Sequence, residues 1–135
     1  MANNTLDKSL QEIIKARLQL SNLEYNSPSY DDMEEKLHEM EDSFQDEFGD
    51  ILEVALKKVH DQYCPDTDVL LPIAYIGKKY KISEKNEYTP HVSEGISVEM
   101  EDSVSKDAKL IIVPNPPRIV LSLPNKELKT LLLVK

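Results

Sequence analysis

The spacing of apolar residues changes once along this chain of 135 residues, close to Cys64. Before that point apolar side chains recur every three or four residues, which is the period of an amphipathic helix. After it, short apolar runs are separated by proline, glycine and asparagine, a pattern typical of strands and turns. Helices followed by strands predict an α+β fold, with the helices packed on a C-terminal, mostly antiparallel sheet.

The first part of the chain predicts a helical hairpin. Apolar residues over 6–23 lie at helical spacing, and Ser27-Pro28-Ser29 ends this first helix. A second stripe over 33–59 predicts a much longer helix that Cys64-Pro65 ends. Because Gly49 lies inside this run, we expect the second helix to bend near Gly49.

The second part predicts about four to six strands. The run 69–76 contains Pro72, which indicates an edge strand or a bulge, and Gly77-Lys78 would turn it into a hairpin with 79–83. The segment 128–134 has apolar residues on both faces, so it can be a central strand or a buried helix. The other predicted strands are 88–92, 96–100, 110–113 and 118–123.

Both parts are expected to fold together as a single domain covering 1–135. The helical part (1–63) and the strand-rich part (64–135) are each too small to bury a sizeable core alone. Aromatic residues make up only 6% of the chain, so the core should be mainly aliphatic. The predicted core residues are Leu10, Ile14, Leu37, Met40, Phe44, Ile51, Leu52, Val59, Ile73, Ile96, Val98, Ile111, Val113, Ile119, Leu121 and Leu132.

Several features predict a cytoplasmic protein, and the composition weakly indicates a bacterial source. The longest apolar run is far shorter than a membrane span, and the first residues do not resemble a secretory signal. The single cysteine, Cys64, cannot form an intrachain disulfide, which fits a reducing compartment. The bacterial interpretation rests on 14 lysines against two arginines. Three isolated glycines cannot build a phosphate-binding loop, so we expect no cofactor.

The net charge of −9 belongs entirely to the helical part. Residues 1–63 carry 15 acidic and six basic residues, whereas 64–135 carry ten of each. Between 31 and 53, eleven acidic residues face one base, Lys36. This charge argues against nucleic acid or an anionic membrane as the partner. It favours either a solvated face that keeps the chain soluble or a face that binds a basic protein.

Glu35, His38 and Asp42 are candidate metal ligands on the second helix. Glu and His three residues apart can share a metal ion, as in di-iron bundles. Such bundles need two copies of this motif, and the chain has one. An exposed histidine among acidic residues is therefore the simpler interpretation.

Two further groups of polar residues are candidates for chemistry. His60 and Cys64 lie four residues apart, but a thiolate is disfavoured at the end of a helix and beside acidic residues. His91, Glu94 and Arg118 could line a cleft between the helices and the sheet, although their spacing does not require it. A rigid turn around Arg118 is the simpler alternative, since Asn115-Pro116-Pro117 precedes it.

Two functions from different classes follow. In the first, the chain is a non-enzymatic interaction protein whose acidic helical face binds a basic partner or supports self-association. In the second, it is a small ligand-binding or enzymatic domain with a polar cleft. Because a short sheet cannot cover a helix about 40 Å long, residues 33–48 must meet the first helix or another chain. We therefore expect a homodimer formed through the helices, whose affinity rises with salt.

Overall fold

The computed structural model describes residues 2–91, 93–98, 108–123 and 127–134. Two helices precede the strands, which confirms the α+β fold. The helices are α1 (Ala2–Ser21) and α2 (Tyr30–Tyr63), and a 3-10 helix follows at Pro72–Tyr75. No helix within the described ranges is both long and apolar enough to cross a membrane.

The strands of the described residues form two antiparallel sheets. The smaller sheet pairs β1 (Tyr80–Ile82) with β2 (Tyr88–Pro90). The larger sheet has the order β3-β4-β5-β6, so β6 is an outer strand. Its members are β3 (Ile96–Ser97), β4 (Lys109–Val113), β5 (Arg118–Ser122) and β6 (Leu128–Leu133). The segment 128–134, for which strand and helix were both open, is thus largely a strand. The predicted strand positions Val92 and Met100 lie outside the described residues.

Helix α2 runs for 34 residues and continues through Gly49 without interruption. A bend at that glycine stays a prediction. Asp31 and Asp32 in the first turn face the positive end of the helix dipole, which stabilises the start. The helix ends where the backbone N–H of Cys64 donates to His60 O, because Pro65 cannot continue it.

Helix α1 packs against α2 and buries the apolar stripe of the hairpin. Leu10 and Ile14 of α1 are fully buried, as are Leu37, Phe44 and Phe48 of α2 at 2–7% exposure. The first helix therefore provides the cover that residues 33–48 require. Self-association through the helices stays a prediction.

Most of the predicted core residues are buried, but the prediction that Ile51 is buried is wrong. Ile51 is 43% exposed, whereas its neighbour Leu52 is fully buried. Beyond Gly49, α2 meets the 3-10 helix and β6 in addition to α1, so the buried face turns about the helix axis. The half-buried members of the predicted core are Met40, Ile73, Ile96 and Leu132.

The prediction of a strand over 69–76 is also wrong. Pro72 begins a 3-10 helix, where its fixed φ is favourable and its missing N–H costs no hydrogen bond. Gly77-Lys78 consequently makes no hairpin with the preceding residues. The observed hairpin joins β1 to β2 through 83–87, where Asn86 adopts a positive φ of 62°.

Polar contacts attach α1 to two turns of the strand-rich part. Asp7 accepts the backbone N–H of Asn115 at 2.6 Å and the side-chain amide of Gln11 at 2.7 Å. Gln11 Oε1 in turn accepts Asn86 Nδ2 (2.9 Å) and the Tyr88 hydroxyl (3.3 Å). These bonds fix the orientation of α1 relative to the β1–β2 turn and the turn before β5.

Candidate functional site

An acidic stripe runs along the outer face of α2. We use this name for Asp31, Glu35, Glu39, Asp42, Asp46 and Asp50, which recur at intervals of three or four residues. This spacing places the six side chains on one helical face, and all six are exposed. At 1.5 Å per residue the stripe is about 28 Å long.

The carboxylates of the acidic stripe are unpaired within the described residues. Two ion pairs form there, and neither involves a stripe residue. Glu41 pairs with Arg17 at 2.6 Å, and Glu53 lies 3.5 Å from Lys57. Each pair of neighbouring like charges on a helix costs a few tenths of a kcal/mol. A surface of this kind attracts cations and basic segments of other molecules.

The candidate metal ligands do not form a metal site. Glu35, His38 and Asp42 are all exposed on α2, and Glu35 and Asp42 belong to the acidic stripe. Among the residues that the structure describes, no three His, Cys, Asp or Glu side chains come together with a geometry that could hold a metal ion.

Cys64 and His60 are both buried, and they do not form a nucleophile with its base. Burial raises the pKa of the Cys64 thiol, which disfavours the thiolate that a nucleophile needs. His60 Nδ1 donates to the carbonyl of Thr67 at 2.8 Å, since a carbonyl can only accept. His60 Nε2 lies 2.9 Å from the hydroxyl of Tyr75. The imidazole thus ties the end of α2 to the 3-10 helix.

His91 and Glu94 lie close together in the segment that follows β2. Glu94 Oε1 accepts the backbone N–H groups of Lys78 (2.6 Å) and Lys79 (2.5 Å). The backbone N–H of His91 donates to the carbonyl of Lys79 at 3.1 Å. The Glu94 carboxylate therefore holds a turn, while the exposed His91 side chain lines a groove.

Arg118 does not join His91 and Glu94. Its guanidinium donates to the carbonyls of Pro114 and Pro116, both at 2.9 Å. Burial lowers the pKa of Arg118, while the charge of Asp7 opposes that change. An arginine remains charged under such conditions, and here it holds the turn before β5. The simpler interpretation of a rigid turn fits this geometry.

Sequence reasoning missed Arg17, which joins three parts of the fold. Its guanidinium donates to Glu41 on α2 and to the backbone carbonyls of Ile76 and Gly77. One signal was present: Arg17 is one of only two arginines in the chain. Its partners lie 24 to 60 residues away, so the periodicity of α1 does not indicate them.

No family model, curated protein or solved structure matches this chain.

Proposed function

We propose that this chain is a non-enzymatic interaction protein whose acidic stripe binds a basic segment of a partner protein. The supporting observation is the row of six exposed carboxylates without ion-pair partners among the described residues. Lysine and arginine side chains of a partner would relieve the repulsion along α2. The complementary fields would also accelerate association.

The length of the stripe defines the partner segment. About 28 Å corresponds to roughly eight residues of extended chain or about 19 residues of helix. Basic residues at alternating positions of a strand, or at intervals of three or four in a helix, would meet the carboxylates in sequence. Affinity should fall with ionic strength, since the carboxylates are exposed and salt screens them.

The test compares two variants with the same net charge. In the stripe variant all six stripe residues become the corresponding amides, which changes the net charge from −9 to −3. In the control variant the same change is made at six exposed acidic residues elsewhere, namely Glu12, Glu24, Asp61, Asp66, Asp68 and Glu84. A synthetic peptide of alternating lysine and alanine serves as the probe, titrated at low and physiological ionic strength.

We expect the stripe variant to bind this peptide at least about tenfold more weakly than the control. Circular dichroism checks that both variants keep their helices. Equal losses in the two variants would mean that net charge alone attracts the peptide, and the proposal would be wrong.

Self-association is a second candidate function, favoured by an exposed apolar surface at the outer edge of the larger sheet. Ile51 (43%), Val54 (56%) and Leu133 (49%) are large exposed side chains beside Lys58, and a groove of about 420 Å³ separates α2 from β6 there. As an outer strand, β6 can pair its free edge with the same strand of a second copy.

Sedimentation at several ionic strengths tests this second function. Dimer affinity should rise with salt, opposite to binding of a basic partner, because two acidic chains repel each other. Val54→Lys should shift the equilibrium to monomer, and Leu71→Lys, at an exposed site just before the 3-10 helix, should leave it unchanged. A monomer at all salt concentrations would overturn self-association as a function of this chain.

A further inference from the structure

The β1–β2 hairpin borders a groove of about 380 Å³, within the size range of small-molecule sites. Its lining combines apolar and cationic side chains. The apolar residues along it are Leu128 of β6, which is 39% exposed, and Tyr80 and Pro90, which are buried. The polar part is Lys79, Lys81, Thr89 and His91.

Strand alternation explains why these polar side chains lie together. Tyr80 and its cross-strand partner Pro90 are buried, whereas Lys81 and its partner Thr89 are exposed. Lys79 and His91 continue the same exposed face, joined by the hydrogen bond between their backbones. Cross-strand side chains on one face start about 5 Å apart. Two ammonium groups, a hydroxyl and an imidazole can therefore reach one ligand.

The hydrogen bonds of His91 leave one of its ring nitrogens free for a ligand. The backbone N–H of Ser93 donates to His91 Nδ1 at 3.1 Å, so Nδ1 is an acceptor. The neutral ring then carries its hydrogen on Nε2, which has no partner among the described residues. Lys79 and Lys81 have no ion pair there either.

The carboxylates of Glu94 and Glu87 leave the cationic side chains available. Glu94 already accepts two backbone N–H groups. Glu87 lies beyond Thr89 at the far end of the exposed face, opposite Ser83, and does not line the groove.

We propose that this groove binds a small organic anion, in which a carboxylate or phosphate meets Lys79, Lys81 and His91 while an apolar body lies against Leu128 and the aliphatic stems of the two lysines. This charge pattern is opposite to that of the acidic stripe. The groove would therefore take a ligand that the stripe repels, and its occupancy does not depend on the function proposed for α2.

Two matched pairs of probes test the two halves of the proposal. Phenylbutyrate and phenylbutyramide differ in charge, while phenyl phosphate and inorganic phosphate differ in the apolar body. Backbone amide chemical shifts report where each probe binds. The titrations are repeated at several protein concentrations so that self-association is recognised.

We expect phenylbutyrate and phenyl phosphate to shift the amides of 79–81 and 89–91 in a saturable manner. Phenylbutyramide and inorganic phosphate should bind at least about tenfold more weakly. Equal binding of the amide would overturn the anionic half, and equal binding of inorganic phosphate would overturn the apolar half. No saturable shift with either anion would overturn the whole proposal.

Matched variants locate the site. Lys79→Gln with Lys81→Gln should weaken phenylbutyrate binding about tenfold. Lys57→Gln with Lys58→Gln makes the same charge change on α2 and should leave it unchanged. If both pairs weaken binding equally, the effect is a general one of charge and the assignment to this groove is wrong. Amide shifts of the unliganded variants verify that the hairpin is intact.

Discussion

Arg17 and Glu41 form an ion pair in which two guanidinium nitrogens contact one carboxylate oxygen. Nε lies 2.9 Å and Nη2 lies 2.6 Å from Glu41 Oε2. Both side chains are mostly buried, at 13% and 19% exposure. Because Nη1 of the same arginine donates to the carbonyls of Ile76 and Gly77, the pair joins the helical hairpin to the strand-rich part.

Removing the arginine should therefore cost more stability than neutralising the glutamate. Arg17→Met leaves Glu41 and two backbone carbonyls without their donor, and we expect a loss of about 2–3 kcal/mol. Glu41→Gln keeps an acceptor oxygen and should cost about 1 kcal/mol. Urea unfolding of both variants measures the difference. An equal or larger loss in Glu41→Gln would show that the carbonyl contacts add nothing.

The hydroxyl of Tyr80 connects two buried backbone groups. It accepts the N–H of Gly77 at 2.9 Å and donates to the carbonyl of Ile112 at 2.7 Å. Tyr80→Phe leaves both groups without that partner, so we expect unfolding to be easier by about 1–3 kcal/mol. Tyr25→Phe is the control, since Tyr25 is 84% exposed. Similar midpoints for both variants in urea would contradict this role.

Tyr80 should also make the fold sensitive to alkali. Burial raises the pKa of Tyr80 above its ordinary value of about 10. Above that pH the unfolded chain loses the phenolic proton while the folded chain keeps it. The stabilisation that the protonated Tyr80 gives the fold is fully present below about pH 10, the pKa in the unfolded chain. It is lost as the pH rises towards the higher pKa in the folded chain, so the free energy of unfolding falls over that range.

Comparing Tyr80→Phe with the native chain isolates this effect, since the other titrating groups are common to both. The alkaline slope of the native chain should be steeper by about 1.4 kcal/mol per pH unit. Denaturant titrations between pH 8 and strongly alkaline conditions provide the slopes. Identical slopes would mean that Tyr80 ionises as readily in the folded chain as in the unfolded chain.

Two glycines should respond oppositely to replacement by alanine. Gly95 has a φ of +107°, and an added Cβ would lie 2.7 Å from the carbonyl oxygen of Leu110. Gly95→Ala should therefore destabilise by more than about 1 kcal/mol. At Gly49 the added Cβ meets the flexible end of Gln45, which can move, so Gly49→Ala should stabilise α2 by up to about 1 kcal/mol. Thermal unfolding of both variants measures the two changes in stability. Destabilisation by Gly49→Ala would mean that Gln45 cannot move.

The sequence was sufficient to predict the helices and the strands of the larger sheet, because their apolar patterns are regular. It was insufficient to predict which face of a helix is buried where different elements pack along its length. Ile51 continues the stripe of Leu37 and Phe44 at intervals of seven residues, yet it is exposed. The turn of the buried face beyond Gly49 follows from contacts with the 3-10 helix and β6, which α2 itself does not encode.

Of the two candidate binding surfaces, the sequence could predict one and not the other. The acidic stripe follows from helical spacing alone, and so does the exposure of Glu35, His38 and Asp42. The groove beside the β1–β2 hairpin does not follow from helical spacing. It depends on the pairing of Lys81 with Thr89 and on the approach of Leu128 from another sheet. Long-range placement of this kind has no counterpart in local periodicity.

The hydrogen bond from Asn115 to Asp7 spans 108 residues, and it has a consequence for synthesis on the ribosome. Helix α1 emerges well before the turn that completes its polar contacts. During that interval the two helices can pair with each other, but their remaining apolar surface has no sheet to cover it. Nascent chains halted between α2 and β4 should therefore be the forms most dependent on chaperones, and that dependence should end only once β5 and β6 complete the larger sheet.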